Sequence, residues 1–110
     1  MSEYYDKHYA NMKIQPIILM QRVLTKEQFL GFLYGNAVKY HERAGNKQGE
    51  SYEKDIVKRN RYLSWYYHVM KTGENINPSL DYELPVEYLN LNLTMLDCVR
   101  DEIIGKQCVL

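Results

Sequence analysis

Residues 35–47 read Gly35-Asn36-Ala37-Val38-Lys39-Tyr40-His41-Glu42-Arg43-Ala44-Gly45-Asn46-Lys47. They form the second half of a predicted helix that runs into a glycine-marked stop and a basic loop. The helix starts upstream at Thr25-Lys26-Glu27-Gln28, which has the pattern of a capping box. The Thr25 hydroxyl can accept the amide three residues on while Gln28 reaches back. From there Phe29, Phe32, Leu33, Ala37 and Ala44 fall on one side of a helix with about 3.6 residues per turn. Asn36, Tyr40 and Arg43 project close to that side, with Lys39 on its edge. Polar groups so placed either satisfy one another and a neighbouring helix, or build a pocket. Arg43 and Lys39 suit phosphate, Asn36 offers an amide fork, and Tyr40 brings a ring and a hydroxyl.

The chain has 110 residues, enough for one modest core and near the size at which oligomers commonly help. Its formal net charge is zero, so bulk electrostatics give no reason to expect nonspecific binding of nucleic acid. Aromatic usage is lopsided, with Tyr 11, Phe 2 and Trp 1. Tyrosine joins an apolar body to a polar tip and suits interfaces and wet pockets as well as cores. Cys98 and Cys108 match no zinc spacing and no disulfide framework, so thiols in a reducing cytoplasm are expected. No signal peptide is visible after Met1, and no apolar run approaches membrane-spanning length. The cytoplasm is the expected location, with no membrane partner.

In chain order, residues 1–13 are polar and tyrosine-rich, and Lys7-His8-Tyr9 is their one compact chemical cluster. Pro16 suits a first helical turn, predicting a short helix from Pro16 to Val23. The next helix spans about Lys26 to Ala44 despite Gly31 and Gly35, whose spacing suggests close approach by another backbone or a ligand. The loop Gly45-Asn46-Lys47-Gln48-Gly49 can set backbone amides and Lys47 against an anion, but its spacing is not that of a phosphate loop. Ser51 is a candidate cap for the third helix. Tyr52, Ile56, Leu63, Tyr66 and Met70 keep helical spacing along it. Asp55, Lys58, Arg59 and Tyr62 share an adjoining face, where Asp55 could orient Arg43 or Lys39. Arg59 and Arg61 read as solvated helix charges. Trp65-Tyr66-Tyr67 covers most of the helix circumference, so more than one packing surface is expected.

Lys71-Thr72-Gly73 should end that helix. Glu74 to Pro85 is a linker that can pack through Leu80, Tyr82 and Leu84. Beyond it, Leu89-Asn90-Leu91-Asn92-Leu93 alternates as a strand would. The longer repeat of Val86, Leu89, Leu93, Leu96 and Ile103, between Pro85 and Gly105, favours a helix. The predicted fold is all-α: a small bundle of three core helices plus a C-terminal helix, completed by oligomerisation. Residues 1–72 would carry the pocket, and residues 73–110 a linker with a packing or oligomerisation segment of the same domain. Carboxylates are scattered where helical nucleotide hydrolases pair them for magnesium, so neither metal nor cofactor is expected.

At these residues the chain resembles a small bacteriophage family, long labelled a domain of unknown function (SaV-like) and often given the name nucleotide kinase. The family's His-Tyr pair is matched by His8-Tyr9, and its hydrophobic-Pro-Ile element by Ile14-Gln15-Pro16-Ile17. Its central pattern, Gly-Asn-Ala-x-Lys-Tyr-x-x-Arg-Ala-Gly-x-Lys, is matched at every fixed position by residues 35–47. Its last element is similar to Asp55-Ile56-Val57-Lys58-Arg59-Asn60-Arg61-Tyr62-Leu63. The chain departs from the pattern at His41-Glu42, Asn46 and Arg59, and residues 73–110 lie outside it. The resemblance implies a phage origin and a pocket of Asn36, Lys39, Tyr40, Arg43, Lys47, Asp55, Lys58 and Tyr62, with His8 and Tyr9 beside it.

Three functions fit these residues. One is a nucleotide-binding protein acting as a nucleoside monophosphate kinase, with Arg43, Lys39 and Lys47 on phosphate and His8 or Asp55 handling the proton. The second is a non-catalytic anti-defence protein that sequesters nucleotide immune signals. The third is an oligomeric inhibitor of a host protein, acting through Trp65, Tyr66, Tyr67 and the leucine-rich tail.

Overall fold

A computed structural model describes residues 14–46 and 50–105. Among these residues the protein is all-α, with four helices and no strand: α1 Pro16–Val23, α2 Lys26–Gly45, α3 Glu50–Thr72 and α4 Val86–Ile103. The alternation at Leu89–Leu93 is thus helical, as the longer repeat predicts. His8, Tyr9, Lys47 and Cys108 lie outside the described residues.

Local chemistry accounts for the helix ends. Pro16 opens α1, where a missing N–H costs nothing. The chain turns extended at Leu24, and α2 begins at once behind a complete capping box. The Gln28 amide donates to Thr25 Oγ1 at 3.1 Å, and the Thr25 amide donates to Gln28 Oε1 at 2.9 Å. Helix α2 ends at Gly45, with Asn46 as its C-cap. Helix α3 starts earlier than Ser51 suggests: Ser51 already lies within it, so its cap role is not realised. Gly73 ends α3 with φ 72°, a left-handed turn that a residue with a Cβ enters only at a cost.

The core lies between α1, α2 and α3. Ile17, Phe29, Leu33, Trp65, Val69 and Ile76 form its buried cluster, and Ala37, Ala44 and Leu63 extend the α2–α3 seam. Leu33, Ala37 and Leu63 have 0% exposure. The α3 stripe differs from the expected one, because Tyr52 and Met70 are exposed while Trp65 and Val69 are buried. Tyr66 and Tyr67 look in two directions, as the aromatic run suggests. Tyr66 meets Tyr34 of α2, and Tyr67 meets Tyr88 of α4, each with ring centroids 4.9 Å apart.

The linker is anchored by Ile76 and Pro78, both buried, rather than by Leu80, which is exposed. Gln21 of α1 pairs with Ile76 as a neighbouring strand would. Its Nε2 donates to the Ile76 carbonyl at 3.0 Å, and its Oε1 accepts the Ile76 amide at 2.7 Å. Tyr82 packs against the core, accepts the Asn77 amide on its hydroxyl and sets its ring 4.4 Å from that of His68.

Two further expectations change. A Cβ at Gly31 or Gly35 would meet nothing within 4 Å among the described residues, so no backbone there approaches either glycine closely. Cys98 is disulfide-bonded instead of a thiol. No helix among the described residues is long and apolar enough to cross a membrane.

Candidate functional site

The α2–α3 seam places the predicted pocket residues on one flank. Tyr40 lies one turn beyond Asn36 on α2, and its ring stacks on Tyr62 of α3 with centroids 5.9 Å apart and planes 11° from parallel. Tyr62 in turn meets Trp65 and Phe32 edge-on, at 5.4 Å and 6.0 Å. An unbroken row of rings therefore runs from the buried Trp65 to the half-buried Tyr40. Packing of this kind holds Tyr40 in one orientation.

Cations collect around that ring. Lys39 Nζ lies 4.7 Å from its centroid, Lys58 Nζ 5.2 Å, and the Arg43 guanidinium carbon 5.4 Å. Each contact is worth about 0.5–1 kcal/mol at an exposed site. That modest attraction is set against the mutual repulsion of three like charges. Asp55, with 2% exposure, lies behind Arg43, its Oδ2 3.7 Å from Nε. A buried carboxylate beside a half-exposed guanidinium turns the arginine without removing it from solvent.

Seven of the ten expected residues fall in the described part: Asn36, Lys39, Tyr40, Arg43, Asp55, Lys58 and Tyr62. Six of them meet in this cluster. Asn36 shares the flank, but its Nδ2 donates to the Phe32 carbonyl of its own helix at 2.8 Å. Its amide fork is thereby half spent, a common choice for asparagine inside a helix. Chemically, the cluster offers a polyanion three cationic contacts and an arginine fork.

The other flank of the seam holds a group that sequence reading did not assemble. Arg59, expected as a solvated charge, is 7% exposed. Its Nε donates to Asn60 Oδ1 at 3.0 Å, and its Nη1 lies 3.1 Å from His41 Nδ1. Arginine has no acceptor, so His41 accepts there and carries its proton on Nε2. Nε2 then donates to Asp97 Oδ1 of α4 at 2.8 Å. Arg100 of α4 faces Asp97 at 3.4 Å, Asp101 at 3.6 Å and Glu42 at 3.8 Å. Burial pushes the Arg59 guanidinium below its ordinary pKa, opposed by Tyr52 and then Asp97. The sequence signal for this group was modest. Arg59 was expected on the face of Asp55, Lys58 and Tyr62, and no spacing along α2 or α3 names the helix that encloses it.

Above that group, α4 docks through polar contacts. Tyr34 donates its hydroxyl to Asn92 Oδ1 at 2.6 Å, and Asn92 Nδ2 donates to the Tyr88 carbonyl at 2.8 Å. Asn92 is 7% exposed, so both ends of its amide are satisfied where water is excluded.

Comparison with known proteins identifies the family of the chain. The model of the family described as "Protein of unknown function (DUF3310)" matches residues 4–64, more than half of the chain. The chain is also similar to the "Nucleotide kinase gp1.7" of Escherichia phage T7, at 44% identity over 50 residues. That alignment covers 44% of this chain and 26% of the phage protein, so the chain spans only a fraction of that relative. No solved structure matches significantly. The matched region contains α1, α2 and most of α3, with both flanks of the seam, and leaves α4 outside. The chain belongs to the DUF3310 family.

Proposed function

We propose that the protein binds a nucleotide through the Tyr40 flank and that the bound nucleotide is a nucleoside monophosphate undergoing phosphorylation. The observation that carries this reading is the set of three cations, Lys39, Arg43 and Lys58, gathered around one rigidly packed tyrosine. Like charges held together against repulsion are stabilised by a polyanion. The name of the phage relative supplies the reaction class. In such a transfer the γ-phosphoryl group passes from a nucleoside triphosphate to a monophosphate oxygen, leaving two diphosphates. Positioning and charge stabilisation supply most of the catalysis. Here Arg43, oriented by Asp55, and Lys39 and Lys58 would hold the phosphates in line. His8, Tyr9 and Lys47 complete the proposed site.

The test is mass spectrometry after incubating the protein with deoxynucleoside monophosphates, ATP and magnesium. A diphosphate product is expected, with turnover lost in an Arg43→Gln variant that keeps its helical circular dichroism. Recovery of unaltered nucleotide in stoichiometric amount would replace the kinase with a sequestering protein. No retention of any nucleotide at micromolar concentration would sink both.

A further inference from the structure

The second flank of the seam carries an observation that the nucleotide reading does not use. Arg59 is 7% exposed, and among the described residues no carboxylate pairs with its guanidinium. Its contacts are an amide oxygen of Asn60 and the lone pair of His41, both neutral. Buried cations are ordinarily paired with an anion, because desolvation of an unmatched charge costs several kcal/mol. Asp97 is the nearest candidate, but it sits across the imidazole ring and is shared with His41 and Arg100. Two of the five N–H donors of Arg59 are used by its hydrogen bonds, which leaves donors on Nη1 and Nη2.

Arg59 borders a cavity of about 210 Å³ between α2, α3 and α4. Arg59, Arg100, His41, Tyr52 and Gly45 contribute to its walls, and Asp97 stands at one side. A whole nucleotide would be crowded there, while a single phosphate group with part of its ester fits. We infer that this cavity is an oxyanion-binding site of the phosphate class, in which Arg59 supplies the charge-bearing fork and Tyr52 and Arg100 close the rim. The anion matches the charge of Arg59, and the acceptor geometry of phosphate matches a planar guanidinium. Asp97 also borders the cavity, with its Oδ1 engaged by His41 and Arg100, so the arginines outnumber it there. The site is separate from the Tyr40 flank, with the buried Ala37 and Ala44 of α2 between them.

Inorganic phosphate titrated against the full chain, at ionic strength matched with chloride, tests the assignment by calorimetry and by thermal unfolding. Phosphate is expected to bind and raise the unfolding temperature of the wild type and of a Lys58→Gln variant. Arg59→Lys, which keeps the charge and loses the fork, should weaken binding about tenfold, the equivalent of one charge-assisted hydrogen bond. Arg59→Gln, combined with Lys58→Gln, should abolish the binding that Lys58→Gln alone retains. If Arg59→Gln does not fold, Arg100→Gln takes its place and must also lower the affinity. Phosphate binding that survives in the Arg59 variants and disappears in Lys58→Gln would assign the anion to the Tyr40 flank and overturn the proposal. Absence of binding in the wild type would overturn it as well. Neither result bears on nucleotide turnover at the Tyr40 flank.

Discussion

The two flanks of the α2–α3 seam treat charge in opposite ways. On the Tyr40 flank three cations crowd one ring and a single buried acid, Asp55, stands behind Arg43. On the His41 flank acids are met by partners at the contact with α4: Asp97 by the His41 N–H, and Asp97, Asp101 and Glu42 by Arg100. Both flanks rest on the same apolar strip, Leu33, Ala37, Ala44 and Leu63. Neighbours in sequence, Tyr40 and His41, thus serve opposite purposes because about 100° of helix rotation separates them. An excess of one sign suits a ligand from outside, and a balanced network suits an internal partner helix. Arg59 is the exception on the balanced side, which is why it draws attention.

The largest effect should come from removing the strip that both flanks share. Leu33→Ala deletes a side chain with 0% exposure and should cost about 2–5 kcal/mol, read by chemical denaturation. Nucleotide binding and α4 protection should then fall together. If one survives the loss of the other, the flanks do not share a support.

Asp97→Ala should separate the flanks. It removes the acceptor of His41 and one partner of Arg100, at a cost of about 1 kcal/mol because the Asp97 side chain is 47% exposed. Hydrogen exchange should quicken in α4, while affinity at the Tyr40 flank stays unchanged. A matching loss of nucleotide affinity would show that α4 supports the Tyr40 flank too.

Alkaline pH should loosen the same helix by another route. Burial pushes the Tyr34 phenol above its ordinary value, with Tyr66 adding to the effect; burial raises Tyr88 likewise, then Tyr66, against the lowering contact with Asn92. A raised folded-state pKa means that the unfolded chain loses its proton first. The associated stability is whole below the ordinary phenol value of 10.0 and is lost as pH rises through the folded values. Phenolate absorbance followed alongside circular dichroism should show Tyr34→Phe flattening this alkaline loss. An unchanged pH profile in that variant would remove Tyr34 from the account.

The smallest effect concerns the glycines of α2. Gly31→Ala should stabilise the protein by roughly 0.5–1 kcal/mol, since alanine is the better helix former and its Cβ meets open space. Gly35→Ala should stabilise equally. A nucleotide lying over Gly35, next to Asn36 and one turn before Lys39, would make that second variant bind more weakly. Equal affinity in both variants would place the ligand nearer Arg43.

Several features were legible because they depend on neighbours in the chain. Pro16, the Thr25–Gln28 box and the glycine at position 73 fixed helix ends, and helical spacing put Tyr40 and Arg43 on one side with Ala37 and Ala44 beside them. Face and charge alone left Asp55 to orient Arg43 or Lys39, and the structure sets it 3.7 Å from Arg43. Arg59 was misread because an arginine among polar neighbours looks solvated until the docked helix covers it. The pinning of Ile76 by Gln21 was equally hidden, since its hydrogen bonds join residues 55 positions apart. The disulfide at Cys98 was missed because cysteine count and spacing carried no pairing signal.

The sequence by itself therefore determined the all-α class, the four helices and the placing of Asn36, Tyr40 and Arg43 near one side of α2. These follow from periodicity, capping and local charge, which act within a few residues. Only the tertiary structure decided where α4 lies, which linker residues are buried and that Arg59 is enclosed without a carboxylate partner among the described residues. Burial and pairing are properties of surfaces that meet across the fold, and the spacing of residues along one helix does not contain them.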